Sequence, residues 1–191
     1  MSKLAELRFK IFIRREALLV LSPIIEKLNR SERLFLQASS TISSAEWCRK
    51  PVPEDWSAAE VVAHLIMVEQ HILGTARKVI HKTPKHFGIW KRRHLPLWLV
   101  EARVIKRKSP IPLDTSLLCE KEKMLGMLQQ TREQAVAFLE ETKTRDLSVY
   151  RWDHPFLGSL NLYEWFAMIA AHQTRHTKQL KQIERRLPKV V

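Results

Sequence analysis

Apolar side chains recur along this chain at steps of three and four, the spacing of one face of an α-helix, and four stretches carry the pattern. Ile24, Leu28, Phe35 and Ala38 line one face of a helix predicted from Ser22–Pro23 to about Ser43. Serine can cap such a helix, and proline at its first position gives up no needed hydrogen bond. Pro51, Pro53 and Asp55 close it with a loop. Ser57, Ala58, Ala59 and Glu60 then form a capping box, and the stripe behind it reads Val61, His64, Leu65, Val68, Ile72, Ala76 and Val79. A third helix is predicted from about Thr115 to Glu141 on Leu118, Met124, Leu125, Leu128, Ala135 and Phe138. The fourth starts at a second capping signature, Asn161 to Glu164, after the irregular run Asp153 to Gly158, and ends near Leu187 before Pro188. Its inner stripe is Trp165, Ile169, His172, His176, Leu180, Ile183 and Leu187.

Between His81 and Pro112 the periodicity fades. Pro84, Gly88, Pro96, Pro110 and Pro112 punctuate a basic connection that is expected to hold a short helix over Leu97–Ile105. Four long helices joined by such a crossover make an all-α four-helix bundle. The expected organisation is a bundle over 22–191, preceded by a basic amphipathic extension over 1–21 that packs on it or on a second subunit.

Composition adds little to the fold and more to what it excludes. The 191 residues are 45% hydrophobic and 28% charged with four glycines, as in one helix-rich globular domain. Lys10, Arg14, Arg15 and Glu16 interrupt any signal-peptide core, and no apolar run reaches the roughly eighteen residues of a membrane span. Cys48 and Cys119 have no metal-ligand or framework spacing. A cytoplasmic protein without stable membrane insertion is expected. The formal charge of +13 attracts anions, and Trp90 and Trp98 interleave with Lys91, Arg92, Arg93 and Arg103. No recognition motif accompanies that charge, so a solvated loop is the better reading and nucleic acid a disfavoured partner.

The chemistry lies in three histidines. His172 and His176 are four apart and so share a helix face, where two imidazoles can hold one ion. Chance alone often supplies such a pair, but His64 joins them on an inner stripe, and buried imidazoles need partners. Three neutral imidazoles with open positions describe an exchangeable or catalytic divalent-metal site, with zinc or nickel expected first and iron or cobalt also acceptable. Gln173 stands where a helical metalloprotease has its glutamate base, which argues against peptidase chemistry of that kind.

The order of these motifs resembles the DinB and YfiT superfamily. Trp56 to Leu65 is similar to that family's second helix, in which a tryptophan and a small polar residue precede the first metal histidine. His154, Pro155, Phe156, Leu157 and Gly158, then Glu164 and Trp165, and finally His172, Arg175, His176 and Gln179, resemble its closing signature. The resemblance spans about Ser22 to Leu187. It implies an up-down-down-up four-helix bundle with a metal on His64, His172 and His176. It also implies either transfer of a low-molecular-weight thiol to a small-molecule substrate or hydrolysis by a metal-bound water. Arg175 is a candidate anion contact for the first reaction, and Glu69 and His71 are candidate bases for the second. A homodimer is one expected arrangement.

Overall fold

The computed structural model describes residues 3–84, 96–101 and 112–187, with side chains described from Val20 onward. Helix α1 spans Lys3–Ser40, α2 Ala58–Val79, α3 Trp98–Glu101, α4 Lys121–Glu141 and α5 Leu162–Arg186. Among the described residues, no helix is long and apolar enough to cross a membrane.

The direction of each long helix follows from which of its ends shares an apolar cluster. Leu21, Ile24 and Leu28, early in the described part of α1, pack in one cluster with Trp165, Phe166 and Ile169 at the start of α5. The same cluster takes Ile72, Leu73 and Ala76 from the end of α2 and Ala135, Phe138 and Leu139 from the end of α4. The second cluster reverses this, joining Phe35 and Ala38 of α1 and Leu180 and Ile183 of α5 to Val62 and Leu65 of α2 and Met124 and Leu128 of α4. Helices α1 and α5 therefore run one way and α2 and α4 the other, which is the expected up-down-down-up bundle. The closest packing is α1 on α5 and α2 on α4.

Between the two clusters lies a buried polar layer of Ser31, Glu69, Arg132 and Gln173, one residue from each long helix. Periodicity did not single out this layer, because its members stand on the inner stripes among apolar neighbours and each looks like an isolated exception.

Three boundaries differ from expectation. Helix α1 runs straight through Ser22 and Pro23, so the Ser–Pro pair is an interior proline and not a helix start. An interior proline costs one ladder hydrogen bond, yet the helix continues through it. Thr115–Leu117 is a separate 3-10 turn, held by Asp114 Oδ1 accepting from the Ser116 amide at 2.9 Å, and the chain is extended at Leu118 before α4 begins. The short helix in the connection covers Trp98–Glu101, with Leu97 in the turn before it, and 102–105 of its expected span lie outside the described residues.

The run read as irregular is a two-stranded hairpin. β1, Arg151–His154, pairs antiparallel with β2, Gly158–Asn161, and Arg151 faces Asn161 while His154 faces Gly158. Gly158 has φ 89°, a conformation glycine adopts without a steric penalty, and it lets the chain reverse after Pro155–Leu157. Strands of four residues are too short to show an alternating pattern.

Candidate metal centre

Two capping boxes set the rotational frame in which the histidines face inward. At the start of α2, the Glu60 amide donates to Ser57 Oγ at 3.2 Å and the Ser57 amide to Glu60 Oε2 at 2.8 Å. At the start of α5, the Glu164 amide donates to Asn161 Oδ1 at 2.9 Å and the Asn161 amide to Glu164 Oε2 at 2.6 Å. Counted from these starts, His64 lies two turns into α2, and His172 and His176 occupy consecutive turns of α5.

The three rings converge through the same nitrogen. His172 Nε2 lies 3.3 Å from His64 Nε2 and 3.1 Å from His176 Nε2, and all three ligand atoms fall within 4.8 Å of one another. Two nitrogens bonded to one ion at about 2.0–2.1 Å, with angles between octahedral and tetrahedral, stand about 2.9–3.4 Å apart. The spacings match that requirement. Mutual hydrogen bonding cannot satisfy the same three atoms, because a neutral imidazole offers at Nε2 either a proton or a lone pair.

Electrostatics keep the rings neutral. Burial lowers the pKa of His64 to about 4. That of His172 falls to about 3, first through burial and then through the charges of His64, Arg175 and His154. His176 is pushed well below its ordinary value by burial and by His172 and His64, against a smaller opposing effect of its bond to Gln179. That bond, His176 Nδ1 to Gln179 Oε1 at 2.9 Å, places the ring proton on Nδ1, because a carbonyl oxygen only accepts. The Nε2 lone pair is thereby directed at the other two rings, the arrangement that metal-binding histidines ordinarily show. His64 and His176 are each 6% exposed, and His172 is partly exposed.

Several neighbours shape the site. Trp56 stacks on His176 with ring centroids 6.5 Å apart and meets His64 edge-on at 5.2 Å. Arg175, half-buried, donates from Nη1 to the Val100 carbonyl at 3.3 Å and so ties α3 to α5, while its charge depresses the pKa of both α5 histidines. His154 was not a candidate from periodicity, since it precedes α5 by a turn and a strand. Its Nδ1 accepts from the Phe156 and Leu157 amides at 3.1 and 3.2 Å, its ring packs 5.2 Å from Trp165, and its field reaches His172.

The candidate bases are placed elsewhere. Both carboxylate oxygens of Glu69 accept from Arg132, at 2.6 and 3.0 Å, and His71 is exposed on the outer side of α2. The basic run 91–93 and Trp90 lie outside the described residues, as do Arg103 and 106–108, while Trp98 is 63% exposed. Cys48 and Cys119 are free thiols.

A bundle of this topology with three converging imidazoles defines a class, that of DinB-like helical proteins with a site able to hold a divalent metal. The profile of the DinB superfamily matches residues 27–180, and the chain belongs to that superfamily. The chain is also similar to the uncharacterized protein YuaE of Bacillus subtilis (strain 168), at 29% identity over 147 residues covering 76% of this chain and 88% of that protein.

Proposed function

We propose that this protein is a metal-dependent transferase that activates a low-molecular-weight thiol at a divalent ion held by His64, His172 and His176. The observation carrying the reading is the convergence of three neutral Nε2 atoms at metal-ligand separations, with His172 partly exposed. A bound divalent ion supplies Lewis acidity, holding a coordinated thiol as its thiolate at neutral pH.

The chain's own residues supply the rest. The imidazoles bind without adding charge, so an ion keeps its full charge for an anionic sulfur. Trp56 packs against His64 and His176 and adds apolar surface beside the site, which strengthens electrostatic interactions there. Arg175 contributes a positive field beside His172 that favours a thiol bearing a carboxylate. The engagement of Glu69 by Arg132 and the outward position of His71 remove the two bases a hydrolytic reading would use, so transfer is preferred.

Protein purified without metal-affinity resin should contain close to one equivalent of zinc or nickel by elemental analysis, or regain it on dialysis. The loaded protein should transfer a small thiol to an activated electrophile, and His64→Ala should lose both metal and rate. Absence of metal before and after dialysis overturns the site, whereas equal rates in wild type and His64→Ala overturn the reaction.

A further inference from the structure

Arg132 touches all three other long helices. From α4, its Nε and Nη2 donate to Glu69 Oε1 and Oε2 on α2 at 2.6 and 3.0 Å. Nη2 also donates to Gln173 Oε1 on α5 at 3.0 Å, and Nη1 donates to the Leu28 carbonyl and Ser31 Oγ of α1 at 2.5 and 3.3 Å. Ser31 Oγ closes the ring by donating to Gln173 Oε1 at 2.8 Å. Arg132 is 2% exposed, Glu69 3% and Gln173 1%, so water does not compete for these bonds.

Stability alone is a weak reason for such a layer. Removing two charges from water is costly, and apolar residues of similar volume commonly do as well or better. The position of the layer suggests another reason. Glu69 lies five residues beyond His64, about 7.5 Å along the axis of α2, and Gln173 directly follows His172 on α5. One rigid guanidinium thus bonds at once to the two helices that carry the three histidines. Its planar fork fixes both distance and direction, which a lysine or an apolar contact would not do.

We propose that Arg132 is a positioning residue for the metal centre, a clamp that holds the α2 and α5 backbones at the separation at which His64 meets His172 and His176. Without the clamp the histidines remain, but the two helices can slide or rotate slightly against each other, and the Nε2 triangle loosens. The proposal rests on the metal-binding reading above.

The paired substitution Glu69→Leu with Arg132→Met removes the clamp without leaving an unpaired buried charge. Gln173→Met carries the same test more gently, because it cuts only the link to α5 and leaves the Glu69–Arg132 pair intact. Both variants and wild type are titrated with cobalt(II) in competition with a chromophoric chelator. The visible spectrum reports coordination geometry, and melting of the metal-free forms is followed in parallel. The expected result is a metal affinity about 10- to 100-fold weaker and an altered cobalt spectrum, with metal-free melting temperatures at or near wild type. A purely structural layer would move the melting temperature and leave spectrum and affinity alone, which overturns the clamp. Wild type that takes up no cobalt overturns the metal reading and the clamp together, whereas equal cobalt binding by wild type and both variants overturns the clamp alone.

Discussion

Gln179 Oε1 stands 2.9 Å from His176 Nδ1, one turn along the same helix, and this contact decides which nitrogen of His176 faces His64 and His172. With the proton held on Nδ1, Nε2 presents only a lone pair. Were the tautomer reversed, an N–H would point into the cluster and would have to be lost or turned away before an ion could bind.

Gln179→Leu should therefore weaken zinc or cobalt binding by about 10- to 100-fold, the usual cost of losing an outer partner of a metal histidine. Gln179 is only partly buried, so the metal-free melting temperature should change little. Competition titration against a chelator checks the first expectation and calorimetry the second.

The depressed histidine pKa values give the metal-free protein a definite pH dependence. In the unfolded chain each imidazole titrates near 6.5, whereas in the fold His64 stays neutral to about 4 and His172 to about 3. Between these limits the unfolded state binds more protons than the folded one, so stability is complete above about pH 6.5 and is lost as the pH falls towards 4. The slope should reach up to about 1.4 kcal/mol per pH unit for each ring that protonates on unfolding. Denaturant melts of the metal-free protein at pH 7, 6 and 5 should show this decline, and His64→Gln should flatten it. A stability independent of pH over that range would contradict the neutral, buried cluster.

Much of this site was legible because helices repeat. A capping box fixes where α2 begins, a second fixes α5, and steps of three and four then carry His64, His172 and His176 inward without knowledge of any contact. What was not legible depends on contacts between residues far apart in sequence. Arg132 reads as one charged exception on the inner stripe of α4 until Glu69 and Gln173 are seen at its guanidinium. Trp56 reads only as the tryptophan that precedes the first histidine until its ring is found against two imidazoles from different helices. Pro23 misled for the opposite reason, since Ser–Pro has the same local chemistry at a helix start and inside a long helix whose neighbours tolerate the missing bond.

The position of Trp56 makes it a reporter. Its ring lies against His64 and His176, so a paramagnetic ion on those residues should quench its emission. Nickel or cobalt added to metal-free protein should lower tryptophan fluorescence, and Trp56→Phe should remove the larger part of that decrease while leaving stoichiometry unchanged. Zinc, with a filled d shell, should produce no comparable quenching. An undiminished response in Trp56→Phe would place the bound ion elsewhere.

Ser57 bears on both stability and the site. Its hydroxyl accepts the Glu60 amide, its own amide is held by Glu60 Oε2, and it is 2% exposed, so water cannot replace the lost cap. Ser57→Ala should cost about 1 kcal/mol, the usual value for an N-cap. In a chain of this size that is about 2–4 °C in melting temperature. His64 lies two turns further on, and the intervening residues Ala58, Ala59, Val61, Val62 and Ala63 are completely buried, so packing should keep the helix in register once it has formed. Ser57→Ala should consequently lower the melting temperature of the metal-free and metal-loaded forms by similar amounts, with metal affinity changed less than by Gln179→Leu. Paired thermal melts with and without zinc separate the two contributions, and a selective loss in the metal-loaded form would show that fraying of the first turn reaches His64.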